Sequence, residues 1–472
     1  MRTAAIVGAL AFLAYWSTLQ APLSGDATTH LYLAHSFLVD GDADLSEFAA
    51  ATGPFVFNFR DAPGGLYSVY FPGNALLFTP FELAALAFGV APMSIAQVAV
   101  LAKLASSLAV AASVALLYLT LRRVARERVA LFLTFTYSFA SAAFGEASQR
   151  YLQHGPTLLL LSATLYLLVR GEGARTGGAS SGLFVALGVL VRPQTVLVGL
   201  AIAAFLAHRR RAALPRFLFW ALGPLAFLFI YDARVFGSPL RIPGDPFPFG
   251  SPLSGILGLL ISPSRGLLVY GPFLVVALAA LAASWRWPAS DRVWLLRYGS
   301  LAALSTILLF GWYADWIGGW GYGNRYLNDL LPLDLFAIAV AWERWLGRAW
   351  ARGLFAVAVG WGLLLEAAGA GLYYFTWNGR HWDSTPDIAA TPERVWSWTE
   401  AQWQWVFARL ILDPPPAIAI EAVVVVICIT VYVVLARRSD PERYPSDRDK
   451  QRVRSEATKV PLETARSTPA GS

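Results

Sequence analysis

Apolar runs of fifteen to twenty-five residues recur from Ala4 to Leu435, and the stretches between them are mostly short. A run of about 20 apolar residues in a helix matches the thickness of a bilayer's hydrocarbon core. A soluble fold of this length could not hide so much apolar surface. Hydrophobic residues make up 57% of the 472 and charged residues 14%, so the chain reads as an all-α, polytopic membrane protein stabilised by helix packing in lipid. The single cysteine, Cys428, lies in the last apolar run and has no partner for an intrachain disulfide. The net charge of +7 comes from arginines clustered between apolar runs. That is the pattern of cytoplasmic loops, and it argues against a nucleic-acid partner.

Lys and Arg are retained on the cytoplasmic side near helix ends. The clusters Arg122 to Arg128, Arg170 to Arg175, Arg209 to Arg216, Arg286 to Arg297, Arg344 to Arg352 and the tail from Arg437 all fall inside under one assignment. It has twelve spans, near 4–20, 96–121, 129–145, 156–170, 181–192, 195–207, 216–235, 266–284, 297–313, 329–343, 352–372 and 416–436. Both termini are then cytoplasmic, and the first segment is an uncleaved signal anchor. Residues 1–436 form one membrane domain, and 437–472, polar and poor in aromatics, form a disordered tail.

Two segments test that assignment. Asn74 to Val90 is long enough to cross, but a crossing there would export every later basic cluster, so it is expected to lie in or dip into the outer interface. Gly182 to Ala207 has basic residues beyond both ends, which fits a break at Arg192-Pro193 into two short segments returning to one side. A single tilted span is the competing reading.

The outward segments, 21–95, 146–155, 236–265, 314–328 and 373–415, then collect the unusual residues. Asp26 stands where the first span surfaces, and an unpaired carboxylate near lipid is costly. On a helix starting there, His30 lies one turn along the same face, and the two can form a catalytic pair. Asp40, Asp42 and Asp44 alternate as in calcium loops, but the glycine falls at 41 and no distal glutamate follows. They read better as a solvated turn, leaving a divalent cation allowed but not required, and no metal ligand is assigned. Arg265 in SPSRG and Arg325 in GYGNRYL each precede a span and suit phosphate binding, as does Arg192 at the break. Lipid headgroups are the competing partners of such arginines. Glu146 and His154 are candidates for acceptor or sugar contacts. Trp396 and Trp398, with Trp403 and Trp405, either stack on a sugar or form an aromatic belt.

Together these parts fit a transferase. Arginines hold the phosphate of a lipid-linked sugar while a carboxylate takes the proton of an acceptor hydroxyl attacking the anomeric carbon, which inverts the configuration. A transporter or lipid flippase is the rival. It calls for ionisable residues deep in the membrane, where Lys103 and Glu366 are nearly the only clear candidates, whereas the charge gathers at one face.

The segments SGDATTHLYLAHSFLVDGDADL, YFPGNALLFTPF, SPSRGLLVYGPFL, GYGNRYLNDLLPL and PERVWSWTEAQW, in this order from residue 24 to about 405, carry a family resemblance. The chain resembles the GT-C superfamily of integral-membrane glycosyltransferases, which includes aminoarabinose transferases and protein O-mannosyltransferases. The resemblance implies a polyprenyl-phosphate sugar donor, a glycan, glycolipid or protein acceptor, and action at the outer face of a bacterial plasma membrane. It places Asp26 at the acidic position of the first outer loop, used as base or to orient the acceptor. A second acidic residue is usual in the second outer loop, where Glu146 is the only one here. No large soluble C-terminal domain and no WWD-type signature are present, so N-glycan transfer is not implied.

Overall fold

A computed structural model describes residues 1–18, 25–49, 58–62, 64–90, 94–239 and 248–439. Most of the expected tail, from 440 onward, lies outside the described residues, as do parts of the 21–95 and 236–265 segments.

The chain is mostly helical. Helix α1 (Arg2–Ser17) is followed by α2 (Gly25–Val39), a two-stranded antiparallel hairpin of β1 (Phe59–Ala62) and β2 (Gly65–Ser68), and α3 (Gly73–Ala87). The hairpin, with Phe59 paired to Ser68, amends the all-helical expectation. Helix α4 (Ile95–Leu121) opens on a capping box in which Ser94 and Gln97 satisfy each other's backbone N–H. It packs along α1 and, on another side, along α6 (His154–Arg170). Between them, α5 (Glu127–Phe139) gives way to a π-turn over Ala143–Ala147.

The break at Arg192-Pro193 is present. Helices α7 (Ser181–Val191) and α8 (Thr195–Arg209) fold back on each other, with Gly199 against Val185 and Gly188 against Thr195. Proline supplies no N–H for a continuing helix and disfavours helical backbone in the residue before it. Arg192 accordingly sits in extended backbone, at the tip of a helical hairpin.

Then come α9 (Leu214–Phe236), α10 (Pro252–Ile261), α11 (Leu267–Tyr270), α12 (Leu274–Ala283) and α13 (Asp291–Trp312). The run expected as one span over 266–284 is interrupted at Gly271-Pro272. Residues 252–261, expected within a connection, form an apolar helix that lies along α13, and a Cβ at Gly255 would collide with the Gly311 carbonyl. Small residues allow such close helix contact where apolar burial gives no drive. The chain continues through α14 (Leu331–Trp345), α15 (Ala349–Leu372), α16 (Gln402–Leu412) and α17 (Ala417–Arg438).

Among the described residues, five helices are long and apolar enough to cross a membrane: Ala96–Leu121, Arg211–Phe236, Asp291–Trp312, Ala349–Leu372 and Ala417–Arg438. Shorter apolar helices, Arg2–Ser17, Ser181–Val191 and Thr195–Arg209 among them, accompany these. The architecture is therefore a polytopic helical one, and twelve crossings stands as the sequence-based count. The segment 74–90 is helical through Ala87 and packs on α2 and α7.

Candidate functional site

The N-terminus of α2 carries Asp26, whose carboxylate accepts from Arg325 Nη2 at 3.1 Å and from the Tyr70 hydroxyl at 2.7 Å. The side chains of Asp26 and Arg325 keep 17% and 21% exposure, enough for a ligand to reach them. Burial alone would raise the Asp26 carboxyl's affinity for a proton, but the Arg325 guanidinium and the Tyr70 hydroxyl hold it below its ordinary value. Asp26 is thus ionised at neutral pH.

Arg325 reaches in three directions. Besides Asp26 it donates to the Gly318 carbonyl at 3.1 Å and faces His154 Nε2 at 3.3 Å. Gly318 and Gly319 have φ of 78° and 60°, left-handed backbone that side-chain-bearing residues resist, and this lets the loop curl under the guanidinium. His154 opens α6 and lies beside Asp329 Oδ1 at 3.2 Å, while Arg192 Nε pairs with Asp329 Oδ2 at 3.1 Å. Arg192 Nη1 also faces the His154 ring at 2.7 Å. The tip of the α7–α8 hairpin therefore delivers its arginine to the start of α6 and the approach to α14. Burial and the Arg192 charge push the His154 imidazole down to about 4, so it is neutral and can accept from a guanidinium.

Glu146, in the π-turn, is fully buried and ion-paired with Arg150 at 2.7 Å. It also accepts from the Tyr322 N–H at 3.2 Å and from the Tyr374 hydroxyl. Burial opposes its charge, but Arg150, Arg325 and the Tyr374 hydroxyl keep it ionised. The Arg150 guanidinium stands 4.5 Å over the Tyr374 ring. A methyl group added at Gly321 would lie 3.5 Å from Glu146 Oε1, 3.6 Å from Arg325 Cδ and 3.7 Å from Arg150 Nη2. The Glu146–Arg150 pair and the Asp26–Arg325 pair therefore share one wall, the glycine-rich loop.

Of the residues expected from sequence, Asp26, Glu146, His154, Arg192 and Arg325 converge here. His30 lies one turn from Asp26 as expected, but the hydrogen-bonded pair is not formed. Both its ring nitrogens are buried without a partner among the described residues, and the ring packs 5.0 Å from Tyr70 and 6.4 Å from Tyr151. Arg325 and Tyr70 occupy the Asp26 oxygens instead. Burial pushes His30 down to about 4.

Arg265 stands behind the loop rather than in the cluster. Its guanidinium donates to the Gly321 and Gly319 carbonyls and pairs with Asp383 at 3.0 Å, with 2% of the side chain exposed. Gln402 braces the same loop, accepting from the Gly323 N–H at 3.0 Å and donating to Gly321. Trp396 packs 5.8 Å from Trp316, and Trp398 is 60% exposed. Asp42 and Asp44 accept bonds from Ser36, Ser46 and the Leu66 N–H, as a structured turn does. Among the described residues no three His, Cys, Asp or Glu side chains converge as a metal site.

Sequence reading missed the site roles of Tyr70, Asp329 and Tyr374, and gave Arg150 only as a weaker candidate than Arg265 and Arg325. Arg150 follows Glu146 by four residues, the spacing of a helical ion pair, and that signal was available. A narrow apolar cleft of about 60 Å³, lined by Leu161, Leu165, Leu168, Ile202 and Leu333, reaches Asp329 at the edge of the cluster.

Residues 84–232, about a third of the chain, match the family model described as dolichyl-phosphate-mannose-protein mannosyltransferase, a GT-C family. The matched stretch includes Glu146, Arg150, His154 and Arg192. No curated protein matches the chain. The match agrees with the GT-C resemblance, a superfamily of membrane glycosyltransferases that use lipid-linked sugar donors.

Proposed function

We infer that the chain transfers a sugar, with inversion, from a polyprenyl-phosphate donor to an acceptor hydroxyl or amine at the outer face of the plasma membrane. The observation that carries this reading is the meeting of three ionised carboxylates, Asp26, Glu146 and Asp329, with three guanidiniums, Arg325, Arg150 and Arg192, beside one glycine-rich loop.

The donor phosphate binds Arg325 and Arg192, and the apolar cleft that reaches Asp329 gives the start of the isoprenoid chain a place beside them. A phosphate competes with Asp26 for Arg325, so donor binding releases the carboxylate next to the anomeric carbon. Asp26 then takes the proton of the acceptor O–H or N–H as that atom bonds to the anomeric carbon. The bond from this carbon to the phosphate oxygen breaks, and its electron pair leaves with the polyprenyl phosphate, whose charge the arginines neutralise. Arg150, held by the buried Glu146, orients the acceptor, His154 positions Arg325 from behind, and His30 presses on Tyr70 and so on the base. Arg265 acts by bracing the loop.

The test is binding and slow hydrolysis of a panel of polyprenyl-phosphate sugars by the protein in nanodiscs. Saturable binding of one donor, with hydrolysis lost in Asp26→Asn, supports the transferase. No binding of any donor moves the reading to a transporter or flippase. That second reading draws on Asp334, Glu366 and Glu421, each buried in an apolar helix with at least one carboxylate oxygen lacking a partner among the described residues.

A further inference from the structure

We propose that Trp320, seated on the His381 imidazole, is the platform on which a carbohydrate acceptor stacks, so that the acceptor is a glycan or a glycolipid headgroup and not a polypeptide. The proposal rests on the transferase reading above and names its acceptor class.

Trp320 is 55% exposed although it lies in the loop that walls the charged cluster. Its ring stacks on His381 with centroids 6.0 Å apart and planes 22° from parallel. His381 is a fixed support. Its Nε2 donates to the Tyr373 carbonyl at 2.9 Å and its Nδ1 accepts from the Asp383 N–H at 3.2 Å, which sets a single neutral tautomer. Tyr373 and Trp405 pack against the same imidazole at 5.0 and 5.9 Å, and Trp377 backs Trp405 at 6.0 Å. The result is an aromatic wall held from behind, with Trp320 as its exposed face.

The loop that carries this face adjoins the Glu146–Arg150 pair. The Trp320 carbonyl lies 3.4 Å from Arg150 Nη2, a methyl group added at the next residue, Gly321, would lie 3.5 Å from Glu146 Oε1, and the Tyr322 N–H donates to Glu146 at 3.2 Å. A sugar ring has an apolar C–H face and an edge of hydroxyls. Laid on the indole, it turns that edge toward Arg150, which Glu146 holds in place from behind, an apolar plane with a fixed polar group at its rim. A tryptophan serving only as a membrane-belt residue has no need of a tautomer-locked support or of an ion pair one residue away.

The experiment is saturation-transfer NMR on the full chain in nanodiscs, with mannotriose, maltotriose, chitotriose and a Ser/Thr-rich peptide as probes. Donor hydrolysis is measured separately on the same preparations. The expected result is transfer to the ring protons of at least one saccharide, with affinity about tenfold weaker in Trp320→Ala. Trp320→Phe and the distant Trp350→Ala retain it. Absence of transfer to every saccharide overturns the proposal, as does an effect of Trp320→Ala no larger than that of Trp350→Ala. Trp320-dependent transfer to the peptide overturns the carbohydrate assignment. Saccharide binding in a protein that neither binds nor hydrolyses any donor supports the platform while removing the transferase reading, so the two failures are distinct.

Discussion

Arg325 Nη2 and the Asp26 carboxylate, 299 residues apart in sequence, meet at 3.1 Å and tie the start of the second helix to the glycine-rich loop in the second half of the chain. The pair is partly exposed and each member has other partners, so it can open at modest cost.

Neutralising the base separates chemistry from binding. Asp26→Asn is expected to lower turnover by about 10²- to 10⁴-fold, the usual contribution of a general base. Donor binding should be no weaker than in the wild type, because the competitor for Arg325 has lost its charge. Arg325→Ala should instead weaken donor binding by about ten- to a hundredfold, from the loss of a charge-assisted hydrogen bond. Isothermal titration with the donor, set beside single-turnover rates, reads both. Equal loss of donor affinity in the two variants contradicts the assigned roles.

Buried neutral histidines make the protein acid-sensitive. His30 and His154 are held at about 4, below the ordinary imidazole value near 6.5. Between those values the unfolded chain binds more protons than the folded one, so stability falls as pH drops from about 6.5 toward 4. His30→Phe removes two buried nitrogens that have no partner among the described residues, at similar shape. It should raise stability at neutral pH by about 1–3 kcal/mol and flatten the acid slope. Thermal unfolding in nanodiscs across this pH range is the measurement, and an unchanged slope rules out His30 as a contributor.

The brace behind the loop responds to breaking, not to removal. Arg265→Met leaves Asp383 buried without its cation and should destabilise by about 3–5 kcal/mol, whereas the double variant Arg265→Met/Asp383→Leu should recover part of this. A double-mutant cycle on thermal stability measures the coupling. Strict additivity would show that the pair is not a unit.

Topology is testable through the single cysteine. In a Cys428→Ser background, a cysteine placed at Asn378 should react with an impermeant maleimide from outside intact cells, and one placed at Arg348 should react only after permeabilisation. The reverse pattern would invert the assignment and put the charged cluster on the inner side.

Much of this organisation was legible in sequence because bilayers impose strong patterns. Apolar run length gave the helical class, Pro193 gave the hairpin break, and acidic or basic residues beside span ends pointed to Asp26, Arg192 and Arg325. Packing between distant segments was not legible. Arg265 and Arg325 have the same local setting, an arginine ahead of an apolar helix, yet one is committed to Asp383 and backbone carbonyls and the other faces the cluster. His30 has the spacing of a base partner, but Tyr70, which takes the Asp26 oxygen, comes from across the β-hairpin. Helix length was also obscured, since Gly271-Pro272 splits an apolar run that composition alone shows as continuous.

The α7–α8 hairpin bears on how the protein is made. At about 1.5 Å per residue, the eleven residues of Ser181–Val191 fall well short of the roughly 30 Å of hydrocarbon. Such a helix is a poor substrate for insertion alone, so the two arms should enter the bilayer as a pair with Arg192 at the leading tip. Its counter-charge, Asp329, emerges from the ribosome only after several further helices. The cation must therefore wait, solvated or lipid-bound, and the charged cluster is assembled only when the second half of the chain packs against the first.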